Sequence, residues 1–324
     1  MNAIPLPKDL PDKASLLEAR KRIEGKIHCT PLFSSSQLNE KFSCQLYFKA
    51  ENLQKAGAFK SRGAVNAVFS LPKKVAAKGV CTHSSGNHAQ ALARAASLKN
   101  IPSYIVMPEN APKVKINAVR AYGGQITFCK PNLQARESTL NEVVQKTGAT
   151  EIHPYNHSAV IAGQSTAAQE IKDQLNEDPD IIITPVGGGG LMSGTALAIQ
   201  HLSMKTSIIA AEPKGADDAF QSFRAKKLIP SVNPSTIADG LLTSLGSRTF
   251  PVLMNFVDDV VTVEDSSILE AMRFIWERMK LVVEPSSAVP LAALFEQKIK
   301  VKNKTVVIIL SGGNLDLDHI PWIK

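Results

Sequence analysis

The chain has 324 residues, of which 44% are hydrophobic and 20% are charged. This length predicts about two domains, and the composition excludes a disulfide miniprotein, a fibrous protein and a disordered chain. The formal charge is +8, but the basic residues are dispersed and only 6% of the chain is aromatic. We therefore expect no nucleic-acid binding.

The predicted elements alternate between short apolar strands and amphipathic helices, which is typical of an α/β fold. A strand at 46–51 is followed by a helix that begins near Lys60. The next block predicts strands at 80–82, 103–106, 125–128 and 151–153 and helices at 87–98, 112–121 and 133–147. The last block predicts strands at 181–184, 207–212 and 305–310 and helices at 158–175, 191–202, 266–280 and 286–297, with a further helix from Ala216.

This pattern predicts two open parallel-sheet domains. We expect a large domain that combines 1–77 with 154–324, and a small mobile domain at 78–153. The strand at 305–310 is strongly apolar, as a central strand buried on both faces would be. Gly- or Ser-rich loops follow three of the strands, at the edge where open α/β sheets bind ligands.

The sequence also predicts a cytoplasmic location. The four cysteines lack the spacing of a zinc site, so we expect reduced thiols, and the N-terminus lacks the pattern of a secretory signal. The uncharged stretch 181–204 is long enough to span a bilayer. Pro185 and four glycines divide this stretch into a strand, a loop and a helix, so we expect no membrane partner.

Four consecutive glycines at 187–190, called here the glycine turn, precede a predicted helix. Their bare amides and the positive end of the helix favour a bound phosphate. A nucleotide P-loop is excluded, because Leu191 follows where that motif requires lysine. A dinucleotide site stays open, since Gly188, Gly190 and Ser193 approximate its spacing and Glu212 follows about 20 residues on. An NAD-dependent oxidoreductase is therefore the alternative enzyme class.

Two further motifs could contribute to catalysis. Lys60 lies at a predicted helix start, where a positive charge is disfavoured, and beside Phe59. That setting would lower the pKa of its amine and prepare a Schiff-base nucleophile, although an exposed surface lysine is the commoner case. The loop 84–88, Ser-Ser-Gly-Asn-His, could cap the following helix or hold a carboxylate.

Four motifs in order resemble a known family: Phe59-Lys-Ser-Arg-Gly, the loop 84–88, the glycine turn and Ser311-Gly-Gly-Asn. They are similar to the fold-type-II pyridoxal-phosphate (PLP) enzymes, which have the tryptophan synthase β-like fold, and specifically to the serine/threonine dehydratase and serine racemase group. The resemblance covers about residues 15 to 323. Matches at 211–218 and 236–240 make the eukaryotic-type serine racemases the most similar subgroup.

The resemblance implies a role for each matching residue. The cofactor would be held by Phe59 against its ring, Lys60 through a Schiff base, Asn87 at the ring hydroxyl, Ser311 at the ring nitrogen, and Gly187, Gly188, Gly189 and Gly190 at the phosphate. The substrate would contact Ser84, Ser85, Asn87, His88, Thr243 and, more weakly supported, Arg136. Lys60 would remove the Cα proton, and Ser85 would return one on the opposite face if the enzyme racemises its substrate.

The resemblance further implies an ion and an effector. Glu212, Asp218 and the carbonyl of Ala216 match a site for Mg²⁺, Ca²⁺ or Mn²⁺. A nucleotide site at a dimer interface, for ATP as a candidate effector, would use Ser35, Ser36, Tyr122, Lys280 and Asn314. Ala56-Gly-Ala58 replaces a hydroxyl-rich segment of related racemases, which weakens the expectation of ATP activation.

The implied activity is β-elimination of L-serine or L-threonine to pyruvate or 2-oxobutanoate and ammonia, with serine racemisation beside it. Serine racemisation as the main activity and 3-hydroxyaspartate dehydration are the alternatives within the family. A homodimer is the expected assembly.

Overall fold

The computed structural model describes residues 4–111 and 113–322. Pro112, the first residue of one predicted helix, lies outside the described residues, as do both chain ends of the predicted large domain. The strands are β1 Leu32–Ser34, β2 Gln45–Ala50, β3 Val80–His83, β4 Ser103–Pro108, β5 Gln125–Cys129, β6 Thr150–Glu151, β7 Ile181–Pro185, β8 Ser207–Pro213, β9 Asp259–Val263 and β10 Thr305–Leu310.

The α-helices lie between these strands. They are α1 Lys13–Ile23, α2 Ser36–Phe42, α3 Lys60–Ser70, α4 Lys73–Ala76, α5 Asn87–Leu98, α6 Lys113–Ala121, α7 Leu133–Thr147, α8 Ser158–Gln164, α9 Thr166–Leu175, α10 Gly190–His201, α11 Asp218–Ala225, α12 Thr249–Phe256, α13 Asp265–Phe274 and α14 Pro285–Phe295. Within the described residues, no helix is long and apolar enough to cross a membrane.

The strands form two sheets, which confirms the predicted α/β architecture. The larger sheet has the order β1-β2-β10-β7-β8-β9 and is parallel except for the edge strand β1. Its central strand β10 sends Val306 and Ile308 into one apolar core and Val307 and Ile309 into another. Burial on both faces explains the continuous apolar run of this strand.

The smaller sheet has the parallel order β5-β4-β3-β6 and uses strands between residues 80 and 151. Its core includes Ala89 and Leu92 of α5 together with Val65 and Val68 of α3. Helix α3, which begins at Lys60, therefore packs against α5 of the smaller sheet. In the chain, it follows β2 of the larger sheet.

Two predicted helices differ from the structure. The helix predicted at 158–175 is divided into α8 and α9 at Ser165, where the hydroxyls of Ser165 and Thr166 donate to the carbonyls three residues earlier, at 2.6 and 2.7 Å. Such hydroxyl bonds compete with the helical ladder. The helix predicted from Ala216 begins at Asp218, after a 3₁₀ turn at Lys214–Ala216.

Candidate active site

Loops from the ends of β2, β10 and β3 meet at one place between the two sheets. The amide of Phe59 donates to the carbonyl of Ser311 at 3.0 Å, which ties the Lys60 segment to the end of β10. The side chain of Asn314 donates to Asn87 at 2.9 Å, which joins that loop to the start of α5. Three of the four motifs are thereby held against one another.

Lys60 is the first residue of α3 and is half-buried. Its amine donates to the carbonyl of Pro154 at 2.9 Å and lies 5.1 Å from the centre of the Phe59 ring. Burial lowers the pKa of this amine to about 8. The direction agrees with the expectation from the sequence, and the main cause is desolvation.

The glycine turn is buried and lacks room for side chains. A Cβ on Gly187 would lie 2.9 Å from the Leu241 Cα, a Cβ on Gly188 would overlap the Tyr155 ring, and Gly189 has a φ of +83°. Gly190 begins α10, whose first amides have no acceptor within the helix. A cradle of bare amides at a helix start fits the phosphate of PLP.

Ser311 follows β10 and is buried beside a second serine. Its hydroxyl lies 3.2 Å from that of Ser287, which also contacts the amide and carbonyl of Gly312 at 2.6 and 2.5 Å. A neutral hydroxyl at this point fits a pyridine nitrogen, which needs a single hydrogen-bond partner.

The loop 84–88 contains half-buried Ser84 and Ser85 before α5. The side-chain amide of Asn87 donates to the carboxyl of Glu284 at 2.8 Å. The His88 ring is buried and contacts the carbonyl of Ile152 at 2.8 Å, and burial lowers its pKa well below the ordinary value. A contact of His88 with substrate would therefore come from its backbone.

Glu284 was not predicted from the sequence as a site residue. Its carboxyl is buried beside Asn87, and burial raises its pKa to about 8, with the charge of Asp239 adding to the rise and that of Lys115 opposing it. This group is therefore held in its protonated form near neutral pH. Its position just before Pro285, near the start of the helix predicted at 286–297, is the signal that the sequence offers for it.

Tyr155 is a second unpredicted neighbour of Lys60. Its ring covers the glycine turn and lies 4.6 Å from the His153 ring, and burial raises the pKa of its hydroxyl. Burial, and after it the charge of half-buried Arg136 on α7, lowers the pKa of His83 at the end of β3. Thr243 is exposed after the 3₁₀ turn Asp239–Leu241, and Arg136, the weaker substrate candidate, acts on His83 through its charge.

The predicted metal ligands are close together. Glu212 is fully buried and accepts from the amides of Phe220 and Ala219, and burial raises its pKa to about 9. Asp218 is also buried, with one oxygen accepting from Leu245 and the other without a partner among the described residues. Two desolvated carboxyls and an open oxygen fit a hard divalent cation. The NAD-dependent alternative requires Glu212 to contact a ribose, and the burial of Glu212 prevents that contact.

The predicted nucleotide residues lie on separate elements. Ser35 and Ser36 lie at the start of α2, Tyr122 follows α6, and Lys280 is exposed after the π-helical turn Ile275–Met279. Asn314 is the member that reaches the site, because it donates to both Ala56 and Asn87.

Known proteins share this architecture. Residues 23–312 match the family model described as pyridoxal-phosphate dependent enzyme. The chain is 50% identical over 311 residues to a serine racemase of Dictyostelium discoideum, covering 94% of this chain and 95% of that one. It is 47% identical over 313 residues to a beta-hydroxyaspartate dehydratase of Paracoccus denitrificans, covering 97% and 99%. The structure of maize serine racemase matches with a TM-score of 0.92 at 46% identity, over 95% of this chain and 94% of that one. The chain therefore belongs to the pyridoxal-phosphate dependent enzyme family, within its serine racemase and dehydratase group.

Proposed function

We propose that this enzyme converts L-serine and L-threonine to pyruvate or 2-oxobutanoate and ammonia, and that it also racemises serine. The observation that carries the proposal is the half-buried Lys60 amine, whose pKa is lowered to about 8, joined through Phe59 to Ser311. The bound cofactor supplies an electron sink that acidifies the substrate Cα proton.

In this proposal, each residue of the site has its own role. Lys60 holds the cofactor and takes the Cα proton, and the glycine turn holds the phosphate with its amides. Asn87 and the backbone of 84–88 orient the substrate carboxylate and the cofactor ring. Ser85 supplies a proton on the opposite face, since racemisation requires an acid or base on both sides.

The test is to incubate the PLP-loaded protein with L-serine and L-threonine and to measure ammonia, 2-oxo acid and D-amino acid. We expect a visible cofactor absorbance and all three products from L-serine, and loss of both absorbance and products in Lys60→Ala. A protein that binds PLP but consumes neither amino acid would contradict the proposal.

Dehydration of 3-hydroxyaspartate is the second candidate function. The nearby charge of Arg136, whose Nε is buried without a partner among the described residues, could pair with the extra carboxylate of this substrate. A relative with 47% identity is a beta-hydroxyaspartate dehydratase. Arg136→Gln should raise the KM for 3-hydroxyaspartate more than tenfold and the KM for L-serine much less; equal effects would reject this role.

We also propose that Glu212, Asp218 and the Ala216 carbonyl bind Mg²⁺, with Ca²⁺ or Mn²⁺ as substitutes. Two buried carboxyls with raised pKa support this proposal, because a cation would compensate their charge. Millimolar Mg²⁺ should raise the melting temperature by several degrees. Asp218→Asn should remove that rise, whereas the adjacent variant Asp217→Asn should retain it.

The proposed assembly is a cytoplasmic homodimer. The cysteines Cys29, Cys44, Cys81 and Cys129 are all free, which supports a reducing compartment. Exposed Leu53 and Val282 flank Asn52, whose side chain donates to the Val282 carbonyl, and provide apolar surface for a second copy. ATP remains a proposed effector on the basis of the family resemblance, and Asn314, which donates to Asn87, would connect its site to the cofactor region.

A further inference from the structure

Two residues bind each other beside the glycine turn, Asn156 before α8 and Arg248 before α12. The backbone amide of Arg248 donates to the side-chain oxygen of Asn156 at 2.8 Å, and the guanidinium of Arg248 donates to the backbone carbonyl of Asn156 at 3.3 Å. The side-chain amide of Asn156 also donates to the Ser247 hydroxyl at 3.1 Å. We call Asn156 and Arg248 the reciprocal pair. None of the four family motifs includes either residue, and the proposed function gives them no role.

Each member of the reciprocal pair adjoins a residue that lies against the glycine turn. Tyr155 precedes Asn156, and a Cβ on Gly188 would overlap its ring. Thr249 follows Arg248 and is fully buried, and its hydroxyl donates to the Gly188 carbonyl at 2.8 Å. Tyr155 and Thr249 are therefore two walls of the glycine turn, and the reciprocal pair joins one wall to the other.

Asp9, from the segment before α1, completes the contacts of Arg248. Its carboxylate accepts from Nε and Nη2 of the guanidinium at 2.8 and 2.6 Å, while Nη1 donates to Asn156. All three guanidinium nitrogens thus have a partner, which fixes the orientation of this planar group. The side chains of Arg248 and Asp9 are 33% and 53% exposed, so both can be substituted without opening a cavity in the core.

We propose that Arg248, oriented by Asp9, is a positioning residue that holds the two walls of the glycine turn in the arrangement that receives the cofactor phosphate. This inference rests on the proposed function, in which the glycine turn holds that phosphate. A site that is ordered before binding pays less entropy when the ligand enters, so it binds more tightly. Arg248 acts through Tyr155 and Thr249, and its effect should be specific to the phosphate end of the cofactor.

The test compares two aldehydes that differ only at that end, PLP and pyridoxal, which carries a hydroxyl in place of the phosphate. Full-length protein freed of cofactor is titrated with each aldehyde, and the visible absorbance gives the two dissociation constants without any turnover. Arg248→Met removes the contacts with Asp9 and with the Asn156 carbonyl. The loss of one or two hydrogen bonds corresponds to a rise of about five- to thirtyfold in the dissociation constant for PLP. The constant for pyridoxal should change less than about twofold.

Two further variants accompany this titration. Asp9→Asn retains both contacts between Arg248 and Asn156, so the constant for PLP should rise only about two- to fivefold. Arg20→Met is the matched control, because Arg20 forms a pair with Asp173 that is similarly exposed, at 45% and 54%, and should leave both constants unchanged.

A rise confined to PLP in Arg248→Met and absent from Arg20→Met supports the inference. An unchanged constant for PLP, or equal rises for the two aldehydes, would overturn it. If circular dichroism shows that Arg248→Met is unfolded, Asp9→Asn decides by the same criteria. Failure of the proposed function would look different, because wild-type protein would then bind PLP no more tightly than pyridoxal or leave L-serine unconsumed.

Discussion

At the scale of single residues, burial without a charged partner determines the protonation state of the groups around Lys60. The carboxyl of Glu284 is held neutral, and the amide of Asn87 is oriented between Glu284 and Asn314. In this orientation one Nδ2 hydrogen of Asn87 is directed to Glu284, which leaves the second for a ligand. The buried acid thereby sets how Asn87 meets the proposed cofactor.

Glu284→Gln tests that protonation state. The pKa of Glu284 is raised to about 8, so the native protein retains a proton between pH 4.5 and 8 that the unfolded chain releases. Wild-type stability should therefore fall as pH rises through this window, by up to about 1.4 kcal/mol per pH unit from this group. The variant should lack that contribution. The free energy of unfolding of the variant minus that of wild type, measured with urea, should therefore grow as pH rises. Exposed Glu142→Gln serves as the control; parallel profiles for all three proteins would disprove the assignment.

Ser85→Ala tests the second face of the substrate. Loss of a positioned acid or base typically costs 10²- to 10⁴-fold, so D-serine formation should fall at least about 100-fold. Pyruvate formation from L-serine should fall less than about tenfold, since Lys60 still takes the Cα proton. Chiral chromatography beside a pyruvate assay measures both, with Ser84→Ala for comparison. Equal losses of the two products would exclude the two-face assignment.

The site was only partly predictable from the sequence at this scale. Motif residues such as Lys60, Asn87 and Ser311 could be found because each stands in a short segment whose neighbours share its role. Glu284 contacts Asn87 across 197 residues, and nothing near either position indicates that contact. Tyr155 covers the glycine turn although it lies about thirty residues earlier in the chain, and no local pattern indicates that contact.

At the scale of elements, a buried ion network holds the helix that carries Lys60. Arg62 lies two residues further along α3 and bonds Glu51 after β2 and Glu170 on α9, with each contact at 2.7 Å. Lys49 of β2 joins the same network through Glu170 at 2.6 Å. These groups are at most 10% exposed, so each charge depends on its partners.

Arg62→Ala should destabilise the protein by about 3–5 kcal/mol, because two carboxylates would remain buried with less compensation. Arg273→Ala is the matched control, since its pair with Glu277 is more than half exposed on both sides and should cost less than about 1 kcal/mol. Urea denaturation gives both values. If Arg62→Ala lowered the free energy of unfolding by no more than the control does, the network would contribute little to stability.

Element prediction succeeded where the local pattern was strong. The β-branched runs of β7 and β10 were evident because both strands are buried on two faces. The sequence did not predict β1, which has three residues at a sheet edge, or α12, whose Pro251 looks like a helix break although it lies in the permissive first turn. The division at Ser165 depends on side-chain bonds that periodicity does not show.

At the scale of the whole molecule, the proposed small mobile domain meets the larger sheet at an ion pair. Lys115 of α6 contacts Asp239 at 2.5 Å, and the side chains are 11% and 50% exposed. Asp239 begins the 3₁₀ turn Asp239–Leu241, whose Leu241 lies against Gly187, and its charge also acts on Glu284. The pair therefore links the proposed small domain to the proposed large one.

Lys115→Gln should raise the KM for L-serine by about two- to fivefold with a smaller change in kcat, because a partly exposed pair contributes up to about 1 kcal/mol. The melting temperature should stay within a few degrees of wild type. Lys113→Gln, two residues earlier on the exposed part of α6, is the control. A KM unchanged from that of the control would show that this pair does not contribute to substrate binding.

The order of strands in the larger sheet also bears on how the protein is made. Strand β2 pairs with β10, more than 250 residues later in the chain, and Ser311 directly follows β10. At roughly 5–20 residues per second, a ribosome needs on the order of ten to fifty seconds to pass from one strand to the other. Until then the nascent chain has no partner strand for β2 on that side. Capture of the vitamin-derived cofactor is thus expected only after β10 has been synthesised.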